Sequence, residues 1–172
     1  MSEPTKKRDP QNAADIIADA GGTVVGRTRL QKLAYLLELT GLGEGFEFQY
    51  RHYGPYSETL ATATRDAALL GLIAEDVKPA SWGGFYSVFT TTVQSNNAQR
   101  SMLTNVAIGV DSIVLELAAT AAFLREEGFR DPWGETERRK PEKTTDGRLE
   151  LAKKLYRTIS EIPTPRRLPD IG

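Results

Sequence analysis

Apolar residues recur at every third or fourth position in several stretches of the chain, which is the spacing of amphipathic helices. The clearest stretch is TRLQKLAYLLELTG, residues 28–41, in which one face carries Leu30, Leu33, Ala34 and Leu37. Thr28 and Gln31 have the spacing of a capping box at its start, and Gly41 follows its end. This pattern predicts a helix.

Similar patterns predict five more helices. The first begins at Pro10, with Asp9 as its N-cap, and ends at Gly21. The other four are expected within residues 57–71, 96–109, 111–128 and 149–159. The intervening segment RDPWGETERRKPEKTT, residues 130–145, lacks the pattern and is interpreted as a polar connector.

Alternation between apolar and polar residues predicts strands. In FEFQYRHY, residues 46–53, one side carries Phe46, Phe48, Tyr50 and His52. We therefore expect a half-buried strand with the His52 ring on its buried side, ended by Gly54-Pro55. The stretches LIAED and FYSVFTTT, residues 72–76 and 85–92, predict a hairpin with Trp82 near its tip.

The order of these elements, helices followed by a hairpin, is typical of a winged helix. We predict a mostly helical α+β fold whose winged-helix-like N-terminal half has three helices and a small antiparallel sheet. An added helical half follows it. With 172 residues the chain fits a single domain, expected at 9–162 with flexible termini at 1–8 and 163–172.

Composition offers little to catalysis or to metal binding. The chain has no cysteine and one histidine, His52, so thiolate chemistry is excluded and an imidazole-based metal site has one candidate ligand. We expect no metal, no cofactor and no enzymatic activity, although a site built on His52 and the neighbouring tyrosines stays an alternative. The lack of cysteine also favours a cytoplasmic location.

Charge argues against a dominant role in nucleic-acid binding. The net charge is −1, and the predicted third helix and hairpin, residues 57–92, hold two basic and four acidic residues. Phosphate contacts need the opposite balance. Basic residues gather instead in residues 137–167, where ten Lys and Arg face five Asp and Glu. A DNA-binding regulator remains the alternative function, and its candidate contacts are Arg138, Arg139, Lys140 and Lys143.

Two motifs carry a family resemblance. They are Leu30-Gln31-Lys32-Leu33 with Tyr35, and Tyr53-Gly54-Pro55-Tyr56-Ser57; the segment LELAAT and Lys140-Pro141 add support. Through most of residues 23–141 the chain resembles the Panacea antitoxin domain, in particular its YwgA-like branch of bacterial proteins. The chain has YGPYS where the broader family has Tyr-Gly-Pro-Val.

The resemblance implies a helical domain with a small sheet that neutralises a partner toxin by direct contact. A protein-binding role also suits the residues, because tyrosines beside a rigid Gly-Pro offer large side chains with little entropy to lose. We expect the partner to bind Lys32, Tyr35, Arg51, Tyr53, Gly54, Pro55 and Tyr56. Packing of the same tyrosines at a corner of the fold is the competing interpretation.

Overall fold

The computed structural model describes the backbone of residues 2–171 and the side chains of residues 8–171. Seven helices lie in this part of the chain: α1 (Ser2–Asp19), α2 (Arg27–Leu39), α3 (Glu58–Leu69), α4 (Ala98–Ile108), α5 (Ser112–Glu126), α6 (Pro132–Arg139) and α7 (Arg148–Ser160). It also contains five strands: β1 (Thr23–Val25), β2 (Gln49–Arg51), β3 (Gly54–Tyr56), β4 (Ala74–Pro79) and β5 (Phe85–Thr90).

The strands form two antiparallel sheets. In the larger sheet β5 lies between β1 and β4, and in the smaller one β2 pairs with β3. The order α1, β1, α2, α3, β4, β5 is that of a winged helix, with the β2–β3 hairpin inserted between α2 and α3. We call the β4–β5 hairpin and its connecting loop, residues 74–90, the wing. Helices α4 to α7 form the added half, so the predicted fold class is confirmed.

The inserted hairpin corrects the expected long strand. Strand β2 covers three residues, and its Arg51 pairs with Gly54, so His52 and Tyr53 form a two-residue turn. Gly54-Pro55 does not end a strand but lies inside β3, where Pro55 pairs with Tyr50. Because the turn directs His52 away from the core, its ring is exposed, and the expectation that it is buried is wrong.

Two helix starts differ from prediction. Helix α1 begins at Ser2 and contains Pro10 in its interior, so Asp9 is not its N-cap. Residues 2–8 thus continue a helix where we expected a flexible terminus, and Met1 lies outside the described residues. Helix α2 begins after Gly26, which has no side chain to cap it. The expected capping box is not formed, because Thr28 lies inside the helix and Gln31 binds the backbone of Ser57.

Helix α6 was missed. It begins at Pro132 behind Asp131, whose side chain accepts a hydrogen bond from the Gly134 N–H. This is the Asp-Pro start signal that we had applied at Asp9 and Pro10. Its apolar contribution is small, a buried Trp133 that packs edge-on against Tyr156 with ring centroids 5.7 Å apart. A helix with one large anchor gives little periodicity to detect.

Helix α5 is the centre of the domain. Ten of its fifteen residues are buried, and it packs against α2, α6, α7 and strand β3.

No single helix among residues 2–171 is both long and apolar enough to span a membrane. Helices α4 and α5 reach that length and hydropathy only as a pair, separated by a bend of 118°.

The C-terminal segment, which we expected to be flexible, contacts the body of the domain. The Arg166 N–H donates to the Thr40 carbonyl at 2.9 Å, and the Tyr156 hydroxyl donates to the Pro169 carbonyl. Leu168 is buried in the hydrophobic core. Residues up to 171 therefore help to cover α7, and Gly172 lies outside the described residues.

Gly54 allows the hairpin to approach α5 closely. Its φ of +93° is in the left-handed region, and a Cβ atom there would lie 2.5 Å from Thr120 Oγ1. Gly45 is the matched control, since its φ is +91° but a Cβ would meet nothing within 4 Å.

We therefore expect Gly54→Ala to lower the free energy of unfolding more than Gly45→Ala, by roughly 1–3 kcal/mol, the usual penalty of overpacking. Both variants share the backbone cost of about 1–2 kcal/mol for a side chain at positive φ. Urea unfolding measures the difference. Equal losses for the two variants would mean that the hairpin does not depend on contact with Thr120.

Candidate binding surface

Three side chains hold the backbone of the β2–β3 hairpin. Lys32 Nζ donates to the Pro55 carbonyl at 2.8 Å, and Lys140 Nζ donates to the His52 carbonyl at 3.0 Å. Gln31 donates to the Ser57 carbonyl and accepts from the Ser57 N–H. These contacts join α2 and the end of α6 to the hairpin and to the residue that follows it, so the hairpin has a fixed position on the domain.

A buried carboxylate organises the lysines behind the hairpin. Glu116 on α5 accepts from Lys140 Nζ at 2.9 Å and from Lys143 Nζ at 2.8 Å. Glu116 and Lys140 are almost fully buried, while Lys143 is partly exposed. We call Lys32, Lys140, Lys143 and Glu116 the lysine cluster. It contains three amines and one carboxylate.

Burial lowers the pKa of Lys32 from its ordinary value of 10.5 to about 8. Attraction to Glu116 opposes this change, whereas repulsion from Lys140 and Lys143 adds to it. The cause is desolvation, because a buried ammonium loses more hydration than its hydrogen bond to a carbonyl replaces. Lys32 is 1% exposed, so it serves as an internal anchor rather than a surface cation.

Four of the seven predicted partner-binding residues are buried: Lys32, Tyr35, Gly54 and Pro55. Tyr35 packs against Phe48 and Phe123, with ring centroids 5.3 Å and 5.9 Å apart. The expectation that a partner binds Lys32 and Tyr35 directly does not fit their burial, because the hairpin and α5 cover this face of α2. Arg51 and Tyr53 are exposed, and Tyr56 is half-buried.

The residues proposed for the nucleic-acid alternative are held in ion pairs. Arg138 and Arg139 both bind Glu135, and Lys140 and Lys143 both bind Glu116. Lys140 is buried as well. Glu135 and Glu116 offset two of these four positive charges, and one of the four side chains, that of Lys140, is out of reach of a ligand.

Tyr53 is the exposed point of the hairpin, with 55% of its surface accessible. On one side Lys143 Nζ lies 4.6 Å from the centroid of its ring, a cation–π contact. Its neighbour His52 is held through its carbonyl by Lys140. The Tyr53 side chain is therefore presented from a fixed backbone.

Two grooves meet at Tyr53. The first, of about 570 Å³, lies between α2 and α3, and its polar lining includes Arg27, Gln31, Glu58, Arg65 and Glu75. The second, of about 910 Å³, lies between the wing and the start of α2. We call the second one the wing groove. Its walls include Val25, Arg27, Arg29, Val77, Trp82 and Phe85.

The wing has an uncovered apolar face. Side chains alternate along β5, so Phe85, Ser87 and Phe89 share the face that points towards the helices. Phe89 is buried in the core, but Phe85, four residues nearer the tip, is 74% exposed. Val77 and Trp82 are exposed beside it. Trp82 was expected near the tip of the hairpin, whereas the local pattern gives no reason to expect that Phe85 lies beyond the core.

The described residues contain no group of three or more His, Asp and Glu side chains placed to hold a metal ion. The wing groove is lined by Arg, Tyr, Ser and Thr as its polar side chains. No carboxylate or imidazole lies among the described residues of its wall.

Comparison with protein-family models, with curated proteins and with solved structures gave no match to this chain.

Replacing Glu116 tests the lysine cluster. Glu116→Gln keeps the size of the side chain but leaves Lys140 buried without a counter-charge, and breaking such a pair costs about 3–5 kcal/mol. We expect a loss of that size in the free energy of unfolding. Glu142→Gln, at an exposed site in the same region, is the control and should change stability by less than about 0.5 kcal/mol. Similar effects of the two changes would show that Glu116 does not organise the hairpin.

The pKa of Lys32 predicts a rise of stability with pH. Between pH 8 and pH 10.5 the unfolded chain binds more protons at Lys32 than the folded chain does, so the free energy of unfolding increases with pH. The full gain is roughly 3 kcal/mol. Lys32→Met removes the titrating group, so its stability should lack this rise.

The measurement is urea unfolding of the two proteins at a series of pH values. Tyr35 and Tyr156 have pKa values raised by burial, which opposes stability at high pH, but this contribution is common to both proteins and cancels in their difference. Parallel stability curves from pH 8 to pH 10 would contradict the lowered pKa of Lys32.

Proposed function

We propose that the protein is a non-catalytic protein-binding module that neutralises a partner, most simply a toxin, by direct contact through the wing groove. The observation that carries this proposal is the uncovered apolar face of the wing opposite Tyr53. Val77, Trp82 and Phe85 are each more than half exposed and line one groove with the tyrosine. A partner that covers them would remove a contiguous apolar surface from water.

The residues in this groove are those that protein interfaces use most effectively. Tyrosine and tryptophan dominate binding hot spots, because each buries a large area and has only two side-chain torsions to immobilise. The anchoring of the turn through the His52 carbonyl reduces the cost further, since the position of Tyr53 is fixed before binding.

We infer that the partner is a toxin from the resemblance to the Panacea antitoxin domain. Two features of the structure accord with a binding role without catalysis. The wing groove has no carboxylate or imidazole in its described wall, and His52 points away from the core at the turn. The proposed binding site therefore lies on the wing and not on α2, because Lys32 and Tyr35 on α2 are buried.

A DNA-binding role has less support. Helix α3 and the wing keep the acidic excess seen in the sequence, with Asp66, Asp76 and Glu75 among their side chains. The four basic residues proposed for phosphate contact are engaged by Glu135 and Glu116. An interface for DNA would need cations that are free to replace counterions.

The test is capture of partners from the native cells, followed by identification and co-expression. We expect a partner whose growth inhibition is relieved by the wild-type protein and whose binding weakens by about 2 kcal/mol or more in Tyr53→Ala and in Phe85→Ala, the range of aromatic hot spots. Leu69→Ala is the matched control, because Leu69 is at least as exposed as Tyr53 and Phe85 but lies outside both grooves.

Binding should be indistinguishable between the wild type and the Leu69 variant, and all three variants should keep their melting temperatures. The proposal fails if the partner is retained equally by the wing variants, or if the protein binds it without relieving its effect on growth.

A further inference from the structure

The wing groove combines an apolar wall with positive charge. Its charged lining residues, among those described, are Arg27 and Arg29 at the start of α2. Arg27 already forms an ion pair with Glu75, with 2.7 Å between Nη2 and Oε2. Arg29 forms no ion pair with any described residue, so the groove has one cation whose charge is not compensated by direct contact.

The backbone holds Arg29 in place. Its Nε donates to the Val25 carbonyl at 3.1 Å, and its Nη1 donates to the Val110 carbonyl at 2.7 Å. These contacts link α2 to strand β1 and to the segment before α5. Its Nη2 donates no hydrogen bond to a described residue. The guanidinium is therefore fixed, with one nitrogen left for an acceptor from outside.

Burial lowers the pKa of Arg29, and the charge of Asp111 offsets part of that effect. Asp111 forms no ion pair with Arg29, and its side chain caps α5 by accepting from the Ile113 N–H. A half-buried guanidinium with only carbonyl partners gains from an added anionic acceptor, because charge-assisted hydrogen bonds are the stronger kind.

Building on the proposed function, we propose that the wing groove binds an acidic amphipathic segment of the partner protein. A large apolar side chain of that segment packs on Val77 and Phe85, and a neighbouring carboxylate pairs with Arg29. The groove between α2 and α3 is a weaker candidate for the same chemistry, because Glu58 and Glu75 line it beside the cations.

The test uses small probes and the intact protein. Blocked leucyl-glutamate and its neutral counterpart, blocked leucyl-glutamine, are titrated into ¹⁵N-labelled protein, and the amide shifts are followed by NMR. We expect the glutamate probe to shift amides at the start of α2 and in the wing, with an affinity at least about fivefold higher than the glutamine probe has.

Arg29→Gln should remove the difference between the probes. Arg125→Gln should preserve it, because Arg125 also donates to a backbone carbonyl but lies outside the groove. If Arg29→Gln does not fold, the comparison of the two probes on the wild-type protein decides alone. Equal affinities, or shifts confined to other surfaces, would overturn the proposal, as would tighter binding of mixed-sequence duplex DNA to the same amides at physiological salt.

This outcome is separable from that of the proposed function. If wing variants lose the native partner while the two probes bind with equal affinity, the protein-binding role stands. The inference that the bound segment of the partner is acidic is then wrong. If the glutamate preference depends on Arg29 while wing variants keep every partner, the groove binds acidic groups but is not the neutralising surface.

Discussion

The fold depends most on one buried carboxylate, that of Glu116. It lies on the central helix α5 and is the direct counter-charge of Lys140 and Lys143, which follow α6. The same Lys140 amine holds the His52 carbonyl at the hairpin turn. One side chain of α5 thus fixes both the connection between α6 and α7 and the exposed hairpin. Removing it would leave buried amines without compensation in a medium of low dielectric constant.

The lysine cluster affects both the pH dependence of stability and the position of the exposed Tyr53. Desolvation lowers the pKa of Lys32, and repulsion from Lys140 and Lys143 adds to this effect, so the energetic cost of burying the Lys32 amine depends on pH. The hydrogen bond from Lys140 to the turn also holds the backbone of Tyr53 in place, and Tyr53 borders both grooves. This order favours the proposed binding role, because an interface gains affinity when its side chains are ordered before contact.

The spacing of apolar residues predicted the helices that have a continuous apolar face. It failed where a single buried side chain or a tight turn determined the structure. The apolar face of α2 was evident from Leu30, Leu33 and Leu37, and that of α5 from Val114, Leu117 and Leu124. Helix α6 has one large buried apolar side chain, that of Trp133, so it lacks the repeated apolar spacing and was not predicted. The alternation of residues 46–53 was real as far as Tyr50, but a two-residue turn reversed the chain and exposed His52.

The sequence alone determined the class of fold, the winged-helix order and the acidic character of α3 and the wing, since these follow from periodicity and composition. Tertiary structure alone decided the candidate site. Lys32 and Tyr35 look like surface residues in the sequence, but they became interior when a hairpin and α5 covered them. Phe85 and Phe89 follow the same alternation, yet one is exposed and the other buried, because the body of the domain ends between them. Which face of an element is covered depends on distant parts of the chain, and no local pattern records it.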